Sequence, residues 1–95
     1  VSKSIIQKNE NECFVCGCCR GLERHHVIYG TAGRKLSEQY GLTVSLCYEH
    51  HRGRYGVHGM DGKKLSNQLH IVAQTAFEGL YGHDEWMRIF GRNYL

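Results

Sequence analysis

In one long stretch of the chain, apolar residues recur at steps of three and four: Leu65, Leu69, Val72, Ala73, Ala76, Phe77 and Leu80. That period puts them on one face of a helix and predicts an α-helix over residues 64–80, ended by Gly79 or Gly82. A shorter helix is predicted from Asp84 to Phe90. Asp84 and Glu85 suit its N-terminal dipole and Gly91 its stop, while Trp86, Ile89 and Phe90 read as core. Upstream the pattern changes. Residues 22–29 and 42–46 are short runs with β-branched and aromatic residues, and each predicts a strand. Residues 30–41 between them are polar and broken by Gly30, Gly33 and Gly41, which predicts a loop or a short helix. Another short helix is predicted to begin near Cys47 or Tyr48, weakened by Gly53 and Gly56. Residues 1–12 predict a loose or strand-like lead-in in which Ile5 and Ile6 pack. The order points to one α+β domain.

Length sharpens this. At 95 residues, a chain buries about 60–65% of its unfolded surface, and cores of that size commonly need a staple. Five cysteines are present. Four of them, Cys13, Cys16, Cys18 and Cys19, lie close together. An odd, clustered set beside histidines reads as metal binding in a reducing compartment, not as a secreted disulfide framework. The stretch from Val1 to Asn11 is polar and lacks the apolar centre of a signal peptide. No apolar run approaches a membrane span. These features predict a cytoplasmic protein without membrane contact. The net charge of +3, with seven histidines uncounted, is compatible with a nucleic-acid partner.

Two groups of residues carry candidate chemistry. In Cys13-x-x-Cys16, one tight turn can present both sulfurs to one ion, and Gly17 supplies the positive φ that such a turn uses. Cys16-x-x-Cys19 competes for the same role. Cys47-x-x-His50 offers a matching pair, brought to one face by a helical turn. Together Cys13, Cys16, Cys47 and His50 make the closed Cys₃His set of a structural zinc. The second group is histidine. On a strand, His25 and His26 point to opposite sides. On a helix, His50 and His51 project about 100° apart. Each pair therefore divides its labour. One partition gives His25 and His51 to a second metal and leaves His26 as a base. His58, in Gly56-Val57-His58-Gly59, joins as a third ligand if the glycine-rich turn folds back. Arg34, Lys35, Arg52 and Arg54 flank this group and are candidates for DNA phosphate contacts.

The succession Cys-x-x-Cys, His-His-Val-Ile and Leu-Cys-x-x-His-His resembles the HNH endonucleases of ββα-metal fold, and in particular small phage-type members with a zinc knuckle. The resemblance spans roughly residues 13–59, and the closing Phe90-Gly91-Arg92-Asn93-Tyr94-Leu95 is similar to the ending of such phage-encoded proteins. It implies His25 as the first ligand of a catalytic metal, His26 as general base and His51 as a further metal ligand. Cys47 and His50 match the second half of the zinc site. One departure is plain: the family's middle Asn, which braces the loop carrying the base, has no counterpart between His26 and His51. The function implied is metal-dependent hydrolysis of DNA phosphodiesters, giving a nick or a double-strand break, with Mg²⁺, Mn²⁺, Ni²⁺ or Zn²⁺ as the catalytic ion. The alternative is a zinc-stabilised DNA-binding or adaptor module without catalysis.

Overall fold

The computed structural model describes residues 3–95; residues 1 and 2, the start of the expected lead-in, lie outside the described residues. The elements are β1 (Glu23–His26), α1 (Thr31–Tyr40), β2 (Thr43–Leu46), α2 (Tyr48–His51), α3 (Lys63–Tyr81) and α4 (His83–Phe90). This is a small α+β arrangement: one two-stranded antiparallel sheet and four helices. No described helix is long and apolar enough to cross a membrane. Strand β1 is shorter than the apolar run suggests, because the chain turns after His26; Val27 still donates to the Leu42 carbonyl at 3.0 Å.

Of the two expectations for residues 30–41, the helix is the one that forms. Gly41 ends α1 in the left-handed conformation at φ 70°, and its N–H caps the Ser37 carbonyl. The buried Ser37 side chain then pins α1 to the end of β1. Its Oγ accepts from Ile28 N at 3.1 Å and donates to Ile28 O at 2.7 Å.

Strand β2 is buried along its whole length. The expected lead-in covers its outer side, held by side chains more than by a regular ladder. Ser45 N donates to Gln7 Oε1 at 2.8 Å, Ser45 Oγ to the Glu10 carbonyl at 2.6 Å, and Phe14 N to the Ser45 carbonyl at 2.8 Å.

Helix α3 runs one turn-end further than expected, to Tyr81, and Gly82 stops it, not Gly79. Its buried face is Ser66, Leu69, His70, Ala73, Gln74 and Phe77. Val72 and Leu80, expected on the core side, are exposed. The shift has a physical cause in partners far along the chain. His70 Nε2 donates to the Val27 carbonyl at 3.0 Å. Gln74 reaches Asn93 Oδ1 at 2.8 Å and accepts from Tyr94 N at 2.7 Å. Polar side chains can be buried when their hydrogen bonds are satisfied in this way. Phe77 and Trp86 anchor the join of α3 and α4, with ring centroids 5.4 Å apart, and Phe90 stacks on Trp86 at 4.1 Å.

Between α2 and α3 the chain coils through Gly53, Gly56, Gly59 and Gly62. Gly56, Gly59 and Gly62 each donate their N–H to the carbonyl of the glycine three residues before, at 2.9, 2.8 and 3.2 Å. None of the four needs a positive φ; they are glycine because backbone lies against backbone. A Cβ on Gly56 would sit 2.7 Å from the Glu49 carbonyl oxygen, and one on Gly59 would overlap the Gly53 carbonyl. The coil returns the chain to α2, where His58 N donates to the His51 carbonyl at 3.0 Å. Gly59→Ala is expected to destabilise the fold by about 1–3 kcal/mol through overpacking. Gly79→Ala, where a Cβ meets nothing within 4 Å, is expected to stabilise α3 by about 1 kcal/mol. Urea denaturation of both variants checks the opposite signs.

Candidate metal centres

Strand alternation and helical rotation sort the candidate ligands into two clusters. On β1, Glu23 and His25 share one face, and Arg24 and His26 share the other. On α2, which opens directly after Cys47, the residues three apart, Cys47 and His50, come together, while His51 turns away.

The first cluster is Cys13, Cys16, Cys47 and His50, whose ligand atoms all lie within 4.8 Å of one another. Cys13 Sγ is 3.7 Å from His50 Nδ1, Cys47 Sγ is 3.3 Å from the same nitrogen, and Cys16 Sγ is 3.7 Å from Cys47 Sγ. A tetrahedral zinc with sulfur at about 2.3 Å and nitrogen at about 2.0 Å sets ligand–ligand edges of roughly 3.5–3.8 Å. The cluster therefore has the spacing as well as the donor set to hold a structural metal such as zinc. Burial opposes ionisation of Cys13, yet backbone N–H groups of Cys47, Cys16 and Val15 turned on its sulfur bring the thiol down to about 6. That favours the thiolate, the form that binds metal. At Cys16 the Cys18 backbone lowers the thiol, but desolvation and the sulfurs of Cys13 and Cys47 outweigh it and leave it raised. Four sulfur and nitrogen donors this close compete for protons, and a cation relieves that competition. Cys18 and Cys19 stay outside the cluster, exposed and hydrogen-bonded to the local backbone. Cys16 thus pairs with Cys13 and not with Cys19.

The second cluster is His25, His51 and His58, again with ligand atoms within 4.8 Å. The three rings meet edge to face, with centroids 4.8–5.3 Å apart. His25 is buried, and its Nε2 has no hydrogen-bond partner. An orphaned buried nitrogen beside two other imidazoles is a donor set that could hold a cation. Burial first, then the neighbouring His51 and His58 rings, lower His25 to about 3. His58 is lowered too, by burial and then by His51. Both rings are thereby kept neutral at pH 7, as ligands must be. His51 Nδ1 donates to Glu23 Oε1 at 2.8 Å, which fixes the tautomer and leaves Nε2 bare for the cluster. Arg52, and then His51, hold the Glu23 carboxyl down at about 2.

His26 lies on the other face of β1. Its Nε2 is 2.7 Å from Glu38 Oε2 on α1. A carboxylate only accepts, so Nε2 carries the proton and Nδ1 keeps the lone pair. Arg24 clamps the same carboxylate from Nε at 3.2 Å and reaches Glu10 at 3.1 Å. Despite facing opposite ways from the strand, His25 and His26 both line one cleft of about 330 Å³ with Arg34, His51, Arg52 and His58. Arg34 and Lys35 continue the lining beyond His26. Arg52 and Arg54 are committed elsewhere: Arg52 Nε bonds Glu23 at 2.9 Å and Arg54 Nε bonds Asp61 at 2.6 Å.

Sequence reasoning passed over Glu23 and Glu38, the carboxylates bonded to His51 and His26. Glu23 had a signal, since it stands two before His25 and must share its face. Glu38 had none, because only the packing of α1 brings it to His26.

The separation of the clusters makes their ligands separable by mutation. Cys47→Ala is expected to abolish zinc retention and unfold the chain, since structural zinc contributes on the order of 10 kcal/mol in small modules. Elemental analysis and circular dichroism check it; a variant that melts like the parent sinks the assignment. His51→Ala is expected to keep that zinc and the fold but to lose divalent metal at the histidine cluster. Glu23→Gln should weaken that metal about 10- to 100-fold, measured by calorimetric titration. Compared with protein-family models, with curated proteins and with solved structures, the chain matches none.

Proposed function

We propose that the chain is a metal-dependent endonuclease of the HNH kind, hydrolysing phosphodiester bonds in DNA by nicking or double-strand cleavage. In this reading β1, β2 and α2 form a ββα-metal unit, Cys13, Cys16, Cys47 and His50 its structural zinc site, and His25, His51 and His58 the catalytic metal site. One observation carries it. A three-histidine cluster with an orphaned buried nitrogen shares a cleft with a histidine whose tautomer is fixed by a carboxylate. A structural site alone has no use for such a base. The reducing compartment suggested by the cysteines fits the cytoplasm, that of a bacterial host if the chain is phage-encoded.

A divalent ion at the histidine cluster would supply a Lewis acid for the charge that develops on the phosphate and leaving oxygen. The chain's own residues do the rest. His26 accepts the proton of the attacking water at Nδ1, and Glu38 steadies the imidazolium that results. Arg24, bonded to both oxygens of Glu38, keeps that carboxylate ionised; hydrogen bonds from His26 and Arg24 hold it below the usual carboxylate range. Arg34 and Lys35 take phosphate on the α1 side of the cleft. From α1, Ser37 braces Ile28 just after β1 and Glu38 braces His26 at its end. That is the bracing the family's Asn would provide.

The test is incubation of supercoiled plasmid with the protein in Mg²⁺, Mn²⁺, Ni²⁺ or Zn²⁺, with a chelator as control. Cleavage is expected, and His26→Ala is expected to slow it about 10²–10⁴-fold while both metals stay bound. Glu38→Gln should slow it less, with metal content unchanged. An intact plasmid under every metal, from protein with both sites loaded, would favour the zinc-stabilised DNA-binding or adaptor module.

A further inference from the structure

Beyond Tyr29 the metal cleft meets a second one. This cleft, of about 510 Å³, lies between the start of α3 and the C-terminal segment and is lined by Tyr29, Lys63, Asn67, His70, Arg92 and Tyr94 among others. Tyr29 lines both clefts, and Val57 at the wall of the second is followed directly by His58 of the metal cluster. We propose that this second cleft holds one unpaired nucleotide of the strand crossing the metal cluster, so that the preferred substrate is DNA with a single-stranded stretch beside the cut. The inference rests on the nuclease reading for the path of the strand.

His70 is the centre of the argument. It is only 7% exposed, and its Nε2–H is committed to the Val27 carbonyl at 3.0 Å. That bond fixes the tautomer and leaves Nδ1 as a bare acceptor; among the described residues it has no partner. Burial lowers the ring's affinity for a proton, which keeps Nδ1 an acceptor at neutral pH. Every nucleobase carries an N–H donor on its Watson–Crick edge. In duplex DNA that edge is occupied by the opposite base, so an unpartnered acceptor in the cleft wall selects an unpaired one.

The surroundings suit the rest of a nucleotide. Tyr29 is 57% exposed and offers an aromatic face next to the metal cleft, the kind of platform on which single-stranded bases stack. Tyr94 backs His70 with ring centroids 4.6 Å apart, and the Arg92 guanidinium lies 5.2 Å from the Tyr94 ring. Lys63 and Arg92 form no ion pair among the described residues and are placed for a phosphate. Arg34, which lines the metal cleft, and Lys35 beside it are likewise outside any ion pair among the described residues. Arg52 and Arg54 are already paired with carboxylates. Of the described cations outside ion pairs, the four that line the clefts mark a track from Arg34 and Lys35, past the three histidines, to Lys63 and Arg92.

The test uses the His26→Ala protein in Mn²⁺ and two labelled DNAs, a blunt duplex and the same duplex with an unpaired thymidine tail, compared by fluorescence anisotropy. The tailed DNA is expected to bind at least about fivefold more tightly, as stacking of one base provides. The double substitution Lys63→Gln with Arg92→Gln should lower that ratio and reduce the salt slope for tailed DNA by about 1.4, two single-strand phosphate contacts. Tyr29→Ser, at an exposed position, should lower the ratio as well. Equal affinities in the parent, or a ratio that the double substitution leaves unchanged, overturns the proposal. If plasmid is never cut by the unsubstituted protein while the ratio holds and falls as expected, the nuclease reading fails and the nucleotide cleft stands.

Discussion

Pairing Glu23 with Leu46, Arg24 with Ser45, His25 with Val44 and His26 with Thr43 leaves β1 no freedom over which side each residue faces. Side chains alternate along a strand, so a slip of one position would exchange His25 for His26 and Glu23 for Arg24. The histidine cluster would lose its buried member and the carboxylate behind His51 in one move. Everything else in the site is arranged around that register. The all-buried β2 and the lead-in bonded along it specify the pairing far more firmly than two four-residue strands could by themselves.

The Cys₃His cluster does a second job of the same kind. It joins the turn after Cys13, which packs on β2 through Phe14, to the first turn of α2. A helix of four residues has no stability of its own. Held at Cys47 and His50, it can present His51 at a fixed rotation, about 100° from His50. A structural ion there would thus set the geometry of the second cluster without touching it. The glycine coil completes the construction. Its close backbone contacts carry His58 back against α2, so the third imidazole arrives from a loop that has almost no freedom to place it elsewhere.

Polar networks take over where the hydrophobic core is thin. Ser37, His70 and Gln74 are buried, and each is tied to backbone or side chains distant in sequence. In a chain of this size such bonds fix which face of a helix turns inward, at little cost while every partner is supplied. On the surface the same logic sorts the cations. Arg52 supports Glu23 and Arg54 caps the glycine coil through Asp61, which leaves Arg34, Lys35, Lys63 and Arg92 as cleft-lining cations outside ion pairs among the described residues.

Local spacing by itself determined most of the elements, the pairing of Cys47 with His50 and the division of the histidine pairs, while the choice of Cys13 over Cys19 and the place of His58 came from the packed chain. Two residues between cysteines, one helical turn between Cys47 and His50, and adjacency in His25-His26 and His50-His51 each have only one geometric outcome once a strand or helix is assumed. The strands, the helices α3 and α4 and the division of the histidine pairs follow from that. Tertiary structure alone decided the rest. Glu38 reaches His26 only because α1 forms and Ser37 docks it. Val72 and Leu80 turn outward only because Val27, Asn93 and Tyr94 receive His70 and Gln74. Arg52 and Arg54 are paired only because Glu23 and Asp61 are brought beside them. In each case the deciding partner lies at least seven residues away, where helical and strand periods carry no information and only the packed chain supplies the contact.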